Sequence, residues 1–147
     1  MAAFNKFNCF VEDLAEKAHN LGSDVLKVYL TNTAPNATTH TGYDGTTGTT
    51  GPAEIAAGNG YTVGGNTASV TSRAQTSGTY KLVLGDPATW TASGGSIGPF
   101  RYAVLYNDTS TANSLIGWWD YGTSITLADT ESFAVDFDPT TGVLTLA

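Results

Sequence analysis

Arg101–Asn107 reads RYAVLYN, Ser114–Tyr121 reads SLIGWWDY and Ser132–Asp138 reads SFAVDFD. Each run has the two-residue period of a strand whose faces meet different surroundings. Tyr102, Val104 and Tyr106 fall on one face of the first run, and Arg101, Ala103 and Leu105 on the other. Phe133, Val135 and Phe137 oppose Asp136 and Asp138 in the same way. Working outward, Val25–Leu30, Thr67–Ser72, Tyr80–Leu84, Ser124–Leu127 and Gly142–Leu146 are further short strands. Turn residues separate them at Gly85-Asp86-Pro87, Gly94-Gly95, Gly98-Pro99, Asn107-Asp108 and Asp138–Gly142. No helical stretch lies between these strands, so their sheets should be mostly antiparallel. The expected fold is mainly β: an antiparallel β-sandwich, jelly-roll-like, with an N-terminal α-helix.

The helix is expected over about residues 3–21. Phe4, Phe7, Phe10, Val11, Leu14, Ala18 and Leu21 recur at spacings of three and four, and Gly22 is placed to end it. That stripe either covers a face or edge of the sheets or docks onto another chain. The sandwich then occupies about 24–147, and the 147 residues form a single domain. A loop at about 36–53 is expected to be flexible. Its stretch from His40 to Gly51 is mostly Thr and Gly, and Tyr43 is its one aromatic anchor.

Charged residues make up only 13% of the chain, and the net charge is −7 with six Lys and Arg in total. A nucleic-acid partner is not expected, because phosphate neutralisation needs a basic patch. No uncharged apolar run is long enough for a membrane helix, and Glu12, Asp13 and Glu16 interrupt any secretory-type apolar stretch, so no membrane partner is expected either. The chain reads as a soluble protein made in the cytoplasm. Cys9, alone, allows no internal disulfide and lacks an adjacent base. His19 and His40 have no third imidazole near them in sequence, and Asp136 with Asp138 reads as a solvated strand face. No serine sits in a G-x-S-x-G elbow, and the glycines around Tyr61 lack the strand-to-helix context of a phosphate loop. Catalytic, cofactor and metal residues are therefore all expected to be none, and the protein is not expected to be an enzyme.

Aromatic residues carry the remaining signal. Trp118 and Trp119 are neighbours on one strand, so they point to opposite faces. One belongs to the core; the other stacks on a sugar, anchors a protein interface or lies beneath the helix stripe. The candidate interface residues are Phe4, Tyr43, Arg101, Trp118, Trp119 and Tyr121.

Six segments carry a likeness that spans nearly the whole chain: NLGSDVLKVYLTNTAPNA (Asn20–Ala37), EIAAGNGYTVGG (Glu54–Gly65), GTYKLVL (Gly78–Leu84), GPFRYAVLYNDTST (Gly98–Thr111), IGWWDYG (Ile116–Gly122) and FAVDFDPTTGVLTLA (Phe133–Ala147). GYTVGG and RYAVLY are the most specific of them. Together they resemble a family of small virion structural proteins of tailed phages and prophages. That resemblance implies a capsid decoration, or cement, protein on the virion surface. Its partners would be the major capsid protein and its own copies, as a dimer or trimer. A tail, head–tail connector or fibre-associated role is the alternative within the virion. Outside it, the alternative is a carbohydrate-binding β-sandwich module.

Overall fold

The computed structural model of the chain describes residues 2–147. Its strands are β1 (Asn5–Lys6), β2 (Leu26–Thr31), β3 (Asn66–Thr67), β4 (Val70–Thr76), β5 (Thr79–Leu84), β6 (Trp90–Thr91), β7 (Ile97–Asn107), β8 (Leu115–Leu127), β9 (Ser132–Phe133) and β10 (Leu144–Leu146), with one helix, α1 (Cys9–Ala15). The fold is mainly β and antiparallel. A five-stranded sheet runs in the order β1-β8-β7-β2-β3, and smaller sheets run β10-β5-β4 and β6-β9.

Leu26, Val28 and Leu30 of β2, with Ala103 and Leu105 of β7, turn one face of the large sheet toward Leu82 and Leu84 of β5, Leu144 of β10 and Trp90 of β6. This is the sandwich-like core, built from all three sheets. Tyr29, Val104, Tyr106 and Leu115, with Trp118 of β8, leave the opposite face of the large sheet, where Phe7 and Tyr43 cover them. Alternation along β2 and β7 therefore feeds two apolar layers, because both faces of the sheet are covered.

The helix is far shorter than the apolar spacing implies. Asn5 and Lys6 pair with Trp118 and Gly117 as an added edge strand, so Phe4 precedes the helix in extended chain. Gly117 is required there, since any Cβ would strike the Phe4 ring. At the other end the Ala18 N–H donates to the Asp13 carbonyl (2.8 Å) and the Lys17 N–H to that of Leu14 (3.4 Å). These bonds form a Schellman motif with Lys17 at φ 66° in the position that favours glycine. Gly22 lies beyond the helix it was expected to end. Phe10 is buried in the main core, Phe7 in the second layer, and Val11 is exposed. A side chain at Lys17 holds the left-handed conformation at a cost of about 1–2 kcal/mol. Lys17→Gly is expected to stabilise the fold by about 1 kcal/mol, read as a higher urea midpoint with an unchanged slope.

Segment 36–53 contains no strand, but it has more anchors than Tyr43. Thr41 and Gly42 donate to the Thr50 carbonyl, Tyr43 donates to that of Asn113, and Leu115 donates back to Thr41. The Asp44 carboxyl accepts the N–H groups of Gly48, Thr49 and Thr50 at 2.6–3.2 Å, folding the Thr/Gly stretch on itself. Gly51 and Pro52 are buried. A polar composition orders itself here through backbone bonds rather than apolar area.

Candidate functional site

The sheet is irregular where β7 meets β8. Phe100 pairs with Ile125 and Tyr102 with Asp120. Between those pairs β7 has Arg101 alone, whereas β8 has Tyr121, Gly122, Thr123 and Ser124. The surplus residues bulge outward and are all exposed, and such a bulge re-aims side chains at a sheet's rim. Tyr121 is 56% exposed, the most exposed of the large apolar or aromatic side chains among the described residues. β7 itself runs through Gly98-Pro99, where a turn was expected, with a register shift between Ile97 and Phe100. β8 likewise joins two runs that read as separate strands, Ser114–Tyr121 and Ser124–Leu127.

Beside the bulge lies a groove of about 370 Å³. Its floor is aromatic and aliphatic: Phe100, Trp119, Phe133, Val135 and Phe137. Trp119 packs between Phe4 (ring centroids 5.3 Å) and Phe137 (5.2 Å), and Phe133 meets Phe100 edge-on at 4.9 Å. The Tyr121 ring stands edge-on to Phe133 at 5.8 Å, so a covered floor continues into an exposed aromatic wall.

The polar rim is organised by Arg101. Its guanidinium donates through Nε (2.7 Å) and an Nη (2.8 Å) to the two oxygens of Asp120, whose carboxyl also accepts the Gly122 N–H. These bonds, Arg101 first, hold the Asp120 carboxyl below the usual carboxylate range. The Arg101 guanidinium also sits 5.3 Å from the Tyr102 ring centroid. Arg101 and Asp120 thus close the bulge and occupy one another.

Segment Phe133–Phe137 forms the far wall. Its side chains alternate as the sequence implies, with Ala134 and Asp136 outward and Phe137 buried. Only Ser132 and Phe133 form strand, however, although a strand to Asp138 was expected. Continuing the Trp90↔Phe133 register would bring Val135 against Ala88 and Asp136 against Pro87, but neither pair forms. The Ala88 carbonyl accepts instead from the Asn66 side-chain amide at 2.6 Å. β9 ends there, and Phe137 turns its N–H to the Asp86 carboxyl (2.7 Å).

Of the six candidate interface residues, the structure brings Arg101, Trp119 and Tyr121 together in this groove, with Phe4 behind Trp119. Trp118 and Tyr43 lie on the other face of the sheet. Trp118 packs on Phe7 at 4.5 Å, and Tyr43 stacks on Tyr106 at 4.4 Å. Phe100 and the wall residues Val135 and Asp136 had no place among the candidates; only the alternation of the 132–138 run hinted at a one-sided wall. Cys9 is half-buried on α1 with its Sγ 3.6–3.8 Å from the carbonyls of His40, Thr41 and Leu115. Burial, with Asp13 nearby, pushes its thiol up to about 11, so it is protonated at neutral pH.

The GYTVGG segment, Gly60–Gly65, serves a buried carboxyl. Glu54 accepts from the hydroxyls of Tyr43 and Tyr61 at 2.6 Å each and from the Gly64 N–H at 3.0 Å. Leu30 of β2 donates its N–H to the Tyr61 oxygen (3.0 Å), tying the cluster to the sheet. Gly65, at φ 66°, lies so close to the Val28 carbonyl that no side chain fits. This cluster fastens the covering loop; its groups are already satisfied by one another. Comparison with family models, curated proteins and solved structures returns no match, so the functional reading rests on the groove and the sequence.

Proposed function

We propose that this chain is a non-catalytic virion structural protein, a capsid decoration protein that docks on the shell through the groove beside the β8 bulge. The observation that carries the reading is Tyr121, held more than half exposed over an aromatic floor by the Arg101–Asp120 pair. Interface hot spots are of this kind: aromatic and arginine side chains around a desolvated centre. The whole-chain resemblance to tailed-phage virion proteins supplies the partner, the major capsid protein. Many copies that each bind the expanded shell and not the opened one resist opening together, by mass action. The carbohydrate reading has less support in the groove. Arg101 and Asp120 saturate each other, leaving few convergent groups for sugar hydroxyls.

The test adds purified protein to expanded particles that lack it. Saturable binding and a higher temperature of DNA release are expected; a protein that ignores heads but binds tails, or that is retained by a glycan, overturns the reading. Tyr121→Ala is expected to weaken particle binding about tenfold or more, as loss of an aromatic anchor does. Its own stability should change by less than about 0.5 kcal/mol, as at exposed positions. Binding that is unaltered by this change excludes the groove as the docking face.

A further inference from the structure

The wall of the groove is an unfinished strand, and we propose that it is completed by an extended segment of a partner protein. The segment would lie between Ala134–Asp136 and Tyr121, pairing its backbone with the wall, placing an apolar side chain on the Trp119–Phe133 floor and presenting Lys or Arg to Asp136. This deepens the docking reading above and rests on it.

Two independent observations support it. The first is backbone bookkeeping. Ala134, Val135 and Asp136 follow β9 with alternating exposure, and among the described residues none of their N–H or C=O groups has a hydrogen-bond partner. Their own sheet does not use them, because β6 pairs with β9 only as far as Trp90↔Phe133. Unpaired strand edges next to a furrow are the template for strand addition, in which main-chain bonds give affinity and alternate side-chain pockets give selectivity. The floor beside this edge is such a pocket.

The second is charge. Asp120 is held by Arg101, but Asp136 is exposed and forms no ion pair among the described residues. With a net charge of −7, the whole molecule also attracts a basic segment. A helix would not fit the pattern, since it carries its own backbone bonds and cannot use the free edge.

The experiment uses the full chain and an array of eight-residue peptides in which apolar residues alternate with lysine. A second array carries glutamate in place of lysine. Binding is read from tryptophan fluorescence and by calorimetry. The lysine array is expected to contain binders, and the glutamate array none. Methylating each backbone nitrogen of a binder in turn should weaken it about tenfold at alternate positions only, the signature of a paired strand. Asp136→Lys, an exposed change that leaves the far-ultraviolet spectrum intact, should exchange the two arrays' behaviour. Absence of binding in both arrays, or methylation losses without a period of two, overturns the proposal. Particle binding separates the two ideas: normal binding by Asp136→Lys sinks this inference and leaves the decoration role standing. Peptide binding by a chain that ignores particles does the reverse.

Discussion

Alkali is expected to unfold this protein steeply, with stability falling by about 5 kcal/mol per pH unit once pH exceeds about 10. Tyr29, Tyr61 and Tyr106 are buried in the molecule, and Tyr43 is half-buried among them. Burial raises the pKa of all four phenols, and the Glu54 carboxyl raises them further. A phenol whose folded pKa lies above its unfolded value keeps its proton in the native state while the unfolded chain loses it near pH 10. Its contribution is whole below pH 10 and is lost as pH climbs toward the folded value. Each tyrosine contributes a slope of about 1.4 kcal/mol per pH unit in that window, and the four act together. A domain stable by about 5–15 kcal/mol should therefore unfold about one to three units above pH 10. The check is a series of urea melts from pH 8 to pH 11.5. Stability that stays level to pH 11.5 would show that the phenols are open to water. Tyr61→Phe should reduce the slope by about a quarter.

The strand pattern was readable in the sequence because both periodicity and turn chemistry act locally. RYAVLY assigns its faces by alternation alone, and the structure places Ala103 and Leu105 in the main core and Val104 and Tyr106 in the second layer. Long-range partners were not readable. Asn5-Lys6 leaves the helical pattern because Trp118 and Gly117 offer a vacant edge, and nothing within Phe4–Leu21 announces it. The early end of β9 is set by how far β6, much earlier in the sequence, pairs with it, and the 132–138 run carries no signal of that. The groove was half legible. Arg101, Trp119 and Tyr121 were found by residue type, but the bulge that gathers them arises from a mismatch between two strands and has no sequence period. Tyr43 was legible as the loop's aromatic anchor, but not its partners: its ring stacks on Tyr106 and its hydroxyl donates to Glu54.

Removing that carboxyl should be as damaging as emptying a core position. Glu54→Ala is expected to cost about 3–5 kcal/mol, because it orphans two phenol hydroxyls and one backbone N–H at a site only 5% exposed. A buried donor left without an acceptor costs about 1–3 kcal/mol, and the half-buried Tyr43 can recover part of its loss from water. Glu54→Gln keeps an acceptor but turns an amide N–H₂ toward one donor, so its cost should be smaller, about 1–3 kcal/mol. The double variant with Tyr61→Phe separates the network from simple loss of volume. Phenylalanine has no hydroxyl to orphan, so the pair should lose less than the sum of the single changes. Additive losses, or a single loss below about 1 kcal/mol, would show that water already serves the site. The consequence for function is directional. Glu54 fastens the loop on the Tyr29 and Tyr106 face, whereas the groove opens on the face of Ala103 and Trp119. A Glu54→Gln protein that remains folded should bind its partner as the parent does, while Tyr121→Ala loses binding and keeps its stability.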